Sequence, residues 1–198
     1  MKKILIDVPQ QIETPRLKMV MPKAGFSAAL HAAILDGYVD YVRYLNWPPE
    51  PPTIEAVEEE NRKNHAEFIL RDFIRYLVID KTTDAVLGRC ALPPAQANWL
   101  IPQFGISYFI RKSARGKGYA SEAALALAHM VFKILKAQKV EIYCETENSA
   151  SKRIPEKIGL KLEYNLRGGW PRPDGKLASQ HVFSAFSESE LQPLEIQF

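Results

Sequence analysis

The sequence predicts a single mixed α/β domain, and three observations predict it. Short runs of strand-like alternation are interleaved with longer stretches of helical periodicity. The chain has 198 residues, 46% of them apolar, which suffices for one sizeable core. A glycine-containing turn, Arg115-Gly116-Lys117-Gly118-Tyr119-Ala120, stands between a strand-like run and a long helical pattern.

Taken in chain order, residues 16–21 read as a first strand. Residues 24–45 read as helical, with Phe26, Leu30, Ala33 and Ile34, then Val39, Tyr41, Val42 and Leu45, on an apolar face interrupted near Gly37. Trp47-Pro48-Pro49-Glu50-Pro51-Pro52 cannot continue a helix and reads as an extended loop. Thr53 is a good cap for the next helix, which carries Glu55 and Glu58 early and ends near Arg71. Residues 73–79 and 86–92 read as strands joined by a hairpin turn through Asp80-Lys81-Thr82-Thr83-Asp84. A strand at 104–110 leads into the glycine turn. The helix from 119 to 136 buries Ala120, Ala124, Leu127, Val131 and Leu135, with Lys133 and Lys136 at its C-terminal end. In the strand at 139–146, Val140, Ile142 and Cys144 alternate with Glu141, Tyr143 and Glu145, giving two distinct faces. A helix at 149–158 stops at Gly159. Last strands near 160–166 and 178–186 are joined by a glycine-rich loop at 168–175.

The turn at 115–120 is built for an anion. The first N–H groups of a helix lack internal partners, and the helix dipole places positive charge there. Glycine admits close approach and positive φ. Arg115 and Lys117 add full charges. A P-loop would follow Gly-Lys with Ser or Thr, but Gly118 follows here. A dinucleotide turn would carry a third glycine, where Ser121 stands. A diphosphate held by backbone, without metal, fits better. The plain alternative is an ordinary strand–helix turn with solvated cations.

A second stretch, Glu147-Asn148-Ser149-Ala150-Ser151-Lys152-Arg153-Ile154-Pro155-Glu156-Lys157-Ile158-Gly159-Leu160, follows the strand at 139–146. With the turn, it resembles the GNAT superfamily of acyl-CoA-dependent N-acetyltransferases. Arg115, Gly118 and Ala120 match the pyrophosphate loop. Asn148, Ser151, Lys157, Gly159 and Leu160 match the N-x-x-S … K-x-G segment. Glu13-Thr14-Pro15-Arg16-Leu17 is similar to the opening of the branch holding ribosomal-protein-alanine acetyltransferases. The resemblance runs from about Thr14 to Phe186 and implies one domain over 1–198. It implies a strongly twisted central sheet of about seven strands flanked by about four helices. The strands around the phosphate-loop helix splay, and the pantetheine arm lies between them. Acetyl-CoA is the implied co-substrate, contacted by Tyr108, Phe109, Ile110, Arg115, Gly116, Lys117, Gly118, Tyr119, Ala120 and Asn148.

Acyl transfer to an amine needs a neutral amine, an adjacent acyl carbonyl, a stabilised oxyanion and a proton or hydrogen bond for the thiolate. In this branch of the family the serine of N-x-x-S lies near the CoA sulfur, so Ser151 is the implied donor. Many relatives place a tyrosine acid four positions on, where this chain has Pro155. Ser151 equally suits a helix cap, as does Asn148. The resemblance also implies a glutamate where Gly105 stands, so the usual carboxylate base is missing. Glu145, sharing a strand face with Tyr143, is the candidate base. A water chain suffices for an α-amine, whose reference pKa is about 7.7–8.0 against ~10.4 for lysine. Trp47, Trp170 and Tyr143 are candidate acceptor-binding residues, and Trp99 reads as local packing. Cys90 and Cys144 read as buried structural thiols. His31, His65, His129 and His181 show no metal-ligand spacing. His129 is expected half exposed, and no metal is expected.

Composition narrows the classes. The net charge of +3 is too mild to argue for nucleic acid. Asp7 and Pro9 end the apolar N-terminal run too early for a signal peptide, and no run is long enough to span a membrane. These readings imply a soluble, cytoplasmic N-acetyltransferase. Its acceptor is a protein N-terminus or a small-molecule amine, and a homodimer is plausible by resemblance. The alternative is a non-catalytic acyl-CoA-binding module.

Overall fold

The computed structural model describes residues 2–198. Its chain order is β1 (Gln11–Glu13), β2 (Leu17–Val20), α1 (Ser27–Leu35), α2 (Tyr38–Leu45), α3 (Ile54–Leu70), β3 (Ile74–Asp80) and β4 (Val86–Leu92). There follow β5 (Ala97–Asn98), β6 (Gln103–Gly105), β7 (Ser107–Ile110), α4 (Tyr119–Lys133), β8 (Lys139–Glu145), α5 (Ser149–Ile158), β9 (Lys161–Pro171) and β10 (Leu177–Ala185). The mixed α/β class is the expected one, with the short strands β1 and β5 added to the expected elements.

The central sheet differs from expectation. In place of about seven strands in one sheet there are two five-stranded sheets, ordered β1-β2-β3-β4-β7 and β5-β6-β8-β10-β9. The run at 104–110, expected as one strand, is divided between them. β6 pairs parallel to β8 through Phe104↔Val140 and Gly105↔Glu141. β7 pairs antiparallel to β4 through Ser107↔Ala91 and Tyr108↔Cys90. Ile106, between them, donates its N–H to the Glu141 carbonyl at 2.8 Å. An apolar run cannot announce a change of partner, because both partners are buried sheets.

Local chemistry explains the helices. The expected helix over 24–45 is two, separated at Gly37. A Cβ there would lie 2.6 Å from both Arg115 Nη2 and Tyr41 Oη. Tyr41 is buried beneath α2, whereas Val39, expected on the apolar face, is 83% exposed. The Thr53 hydroxyl accepts the Ala56 N–H at 3.2 Å as the cap of α3. β3 and β4 are buried along their whole length. On one side of them lie Leu30, Ile34 and Val57 of α1 and α3. α4 occupies the middle of the larger core, where Ala123, Ala124, Ala126 and Ala128 are fully buried.

The C-terminal hairpin also departs from expectation. β9 continues through Gly168 and Gly169 to Pro171, leaving a turn only at 172–176. Proline and glycine read as breakers in the sequence. β9 is an edge strand, however, and an edge tolerates both.

Gly159 ends α5 at φ 104°. A Cβ there would meet the Glu190 carbonyl oxygen at 2.3 Å. Gly159→Ala is therefore expected to cost more than about 1 kcal/mol in a denaturant titration.

Candidate active site

A cleft of about 680 Å³ opens where the two sheets part. One wall is β7, with Tyr108, Phe109 and Ile110; the other is β8, with Ile142, Tyr143, Cys144 and Glu145. One end reaches Gly116, Gly118, Tyr119 and Ala120, and Asn148 and Ser151 lie along the α5 side.

At the first end, Gly116 and Gly118 hold φ of 77° and 85°. Gly118 caps α4 without any side-chain cap bond, and the first turn closes only when the Glu122 N–H reaches the Gly118 carbonyl at 3.0 Å. The N–H groups of residues 119–121 thus have no intrahelical partner. A Cβ at Gly118 would lie 3.3 Å from Arg16 Nη2 and 3.5 Å from Lys157 Nζ, and at Gly116 nothing lies within 4 Å. These features fit an anionic diphosphate.

Arg115 borders the cleft, pairs with Asp40 and donates from Nε to the Ile110 carbonyl at 3.0 Å. Its guanidinium stands 5.5 Å over the Tyr41 ring. Lys117 is exposed and is not among the cleft residues. Arg16 and Lys157 are the cations beside Gly118. Arg16 is oriented by Glu122, which accepts its Nε–H at 2.6 Å and its backbone N–H at 3.0 Å. The buried Thr14 hydroxyl donates to the same carboxylate at 2.6 Å. Thr14 and Arg16 belong to the opening motif, but no local pattern linked them to a turn so distant in sequence.

Around Ser151 the geometry is compact. The Asn148 Oδ1 accepts the Ser151 N–H at 3.0 Å, so Asn148 is the cap of α5. The Ser151 hydroxyl lies 3.2 Å from Tyr108 Oη and donates to Cys144 Sγ at 3.4 Å. Pro155 explains a second contact. It has no N–H to return to the Ser151 carbonyl, and the Tyr108 hydroxyl stands 3.4 Å from that carbonyl, so its single hydrogen can go to either Ser151 oxygen. Burial pushes the Tyr108 phenol well above its ordinary pKa and the Cys144 thiol up to about 11. Both therefore stay protonated near neutrality. In the sequence Tyr108 reads only as a cofactor contact, with no signal of its reach to α5.

On the opposite face of β8, Glu145 is 4% exposed and paired with Arg172 of the β9–β10 turn. It is a buried carboxylate paired through Oε1, with Oε2 left without a partner among the described residues, and not a solvated strand residue. Arg172 also meets Glu147 at 2.9 Å, and Glu147 meets Arg43 of α2 at 2.9 Å. Tyr143 donates to Glu141 at 3.1 Å. Trp170 borders the cleft from β9. Trp47 is not among the residues that border it. Its ring packs 5.1 Å from Tyr41 and 5.3 Å from Phe109, in the smaller core. Trp99 packs edge-on against Phe104 at 5.0 Å. His129, expected half exposed, is buried between Glu188 at 2.8 Å and the Gln192 carbonyl at 3.0 Å.

Comparison with known proteins agrees with this architecture. The acetyltransferase (GNAT) domain family matches residues 20–161, and the chain belongs to that family. The uncharacterized protein YkkB of Bacillus subtilis is 32% identical over 99 residues, covering 50% of this chain and 56% of that protein. The uncharacterized N-acetyltransferase p20 of Bacillus licheniformis is 30% identical over 113 residues, covering 56% and 60%. The chain thus spans less than two thirds of the length of these curated relatives. Among solved structures, RimL, a ribosomal L7/L12 alpha-N-protein acetyltransferase in complex with coenzyme A, superposes with a TM-score of 0.79 at 16% identity. That match covers 92% of this chain and 98% of RimL.

Gly118→Asp would put a carboxylate among the unpartnered N–H groups. It is expected to abolish coenzyme A binding in calorimetry while the circular dichroism spectrum stays native. Native affinity in the folded variant would exclude this end of the cleft as the phosphate site.

Proposed function

We propose that the protein transfers an acetyl group from acetyl-CoA to a primary amine by direct attack on the thioester. One observation carries the reading. A single cleft joins a helix N-terminus with free N–H groups to a hydroxyl held between a strand and a helix. Acetyl-CoA supplies the activated carbonyl. The backbone at 116–121, with Arg16 and Lys157, would hold its diphosphate. The strand walls of β7 and β8 would flank the extended arm.

Ser151 is the group that would meet the departing sulfur. A phenol kept neutral by burial is a poor acid but a good hydrogen-bond donor. When Tyr108 donates to Ser151 Oγ, the single Ser151 hydrogen is left to point at sulfur. In this structure it points at Cys144 Sγ. A thiolate is a stronger acceptor than a neutral thiol and would draw that hydrogen instead. Asn148 fixes the serine backbone, so position and direction are both set before reaction. The acceptor would be a protein N-terminal α-amine or a small-molecule amine. Family membership supports the reaction class, and the fold shared with RimL, named for an N-terminal protein acceptor, supports the former acceptor.

The test is thiol release from acetyl-CoA across a panel of amines. Ser151→Ala is expected to lower kcat by about 10–10³-fold with little change in acetyl-CoA affinity. If Ser151 acted only within the α5 cap, its loss would appear as stability, with kcat nearly native. Tyr108→Phe keeps the ring and removes the donor. It should lower kcat less than Ser151→Ala does, and the double variant should fall no further than Ser151→Ala alone. A chain that binds acetyl-CoA and releases no thiol with any amine would be a binding module.

A further inference from the structure

Gly105 is the last residue of β6 before the sheets part, and it is buried. The space beside it is filled by another residue. A Cβ at Gly105 would lie 2.3 Å from Gln96 Oε1, 2.6 Å from Gln96 Cβ and 3.0 Å from Gln96 Cδ. Gln96 ends a 3-10 turn, Pro94–Gln96, and its N–H is tied to the Pro93 carbonyl at 2.9 Å. The next residue, Ala97, pairs with Phe104. The backbone on both sides of Gln96 is therefore fixed, and its side chain lies across Gly105. Gln96 also borders the cleft together with Tyr143 and Glu145.

Tyr143 donates to Glu141, and Glu145 is paired with Arg172 through Oε1, while its Oε2 is buried without a partner among the described residues. We infer that Gln96 is the residue that receives the acceptor amine. Its amide oxygen accepts an N–H of the neutral amine and turns the nitrogen lone pair toward the thioester. This rests on the acetyl-transfer reading.

The chemistry of the amide sets the substrate class. A carboxamide accepts a hydrogen bond but does not titrate, so Gln96 cannot take the amine's proton. The amine must arrive neutral, and the proton released on attack goes to water. At pH 7.5 roughly a third of an α-amine of pKa about 7.8 is neutral, against roughly 0.1% of an alkylamine of pKa ~10.4. That difference favours α-amines by a few hundredfold before any contact is counted. The site selects an α-amine of a peptide or amino-acid derivative over a lysine-like or polyamine nitrogen.

The experiment uses the full chain, acetyl-CoA, a lysine-free peptide beginning with serine, and 1,5-diaminopentane, with free thiol as readout. The native chain should prefer the peptide by at least a hundredfold in kcat/KM at pH 7.5, and the acidic limb of kcat/KM should follow each acceptor's own pKa. Gln96→Ala should lower kcat/KM for the peptide at least tenfold, with coenzyme A affinity unchanged by calorimetry. Gly105→Ala, which displaces the Gln96 side chain without altering its chemistry, should reproduce that split. Gln96→Glu supplies a titratable oxygen and should uncouple the acidic limb from the acceptor pKa. A peptide kcat/KM within twofold of native in Gln96→Ala overturns the assignment of Gln96, and a native preference for the diamine overturns the α-amine class. Release of no thiol with either amine overturns acetyl transfer itself, and this inference with it.

Discussion

The parting of the sheets at Ile106 is the constraint on which the rest of the molecule depends. Among the described residues, β8 has no strand partner on the side facing β7 beyond the Gly105↔Glu141 pair, and β7 pairs only with β4. Strand edges carry N–H and C=O groups that must find partners somewhere. Two such edges face one another across the cleft. An extended ligand with amide groups can satisfy them as a further strand would. The cavity is thus a product of how the hydrogen-bond ladder is interrupted, with no large residue removed from the core. α4 stabilises the interruption, since its small-residue face packs in the core both sheets share.

The electrostatics of the cleft follow from where charges are already spent. Glu122 sits in the first turn of α4, where a carboxylate suits the helix dipole. Its oxygens are taken by Thr14 and Arg16, which draws the N-terminal strands onto the helix and leaves the Arg16 guanidinium beside Gly118. Arg115 carries the same charge but braces α2 against β7 through Asp40 and Ile110. On the far face, Glu145, Arg172, Glu147 and Arg43 form an alternating chain from β8 across the hairpin turn to α2. Their charges cancel pairwise.

Much of this was legible in the chain. The cap at Thr53, the terminator at Gly159 and the helix after Gly118 each rest on local backbone chemistry, and local chemistry is what a sequence displays. The family resemblance was carried by two such local motifs. What could not be read was partnership at a distance. Nothing near Ile106 marks a change of sheet. Nothing near Pro94 says that Gln96 will lie over Gly105. Trp47, beside prolines, had the look of a pocket wall, yet Tyr41 and Phe109 offered it a better-packed home. Arg115 matched a motif by spacing, whereas its pairing with Asp40 of α2 could not be read from the turn itself.

The route of the chain through the two sheets has a further consequence. After β4 the polypeptide leaves the first sheet to form β5 and β6 in the second, returns to the first as β7, and crosses again through α4 to β8. Each wall of the cleft therefore contains segments from both sides of any cut made between residues 97 and 110. No such cut yields two self-contained pieces, although the strands are sorted into two sheets. The sheets are stitched rather than joined, and rearrangement by recombination is confined to peripheral turns such as 172–176, where a break separates neighbours within one sheet only.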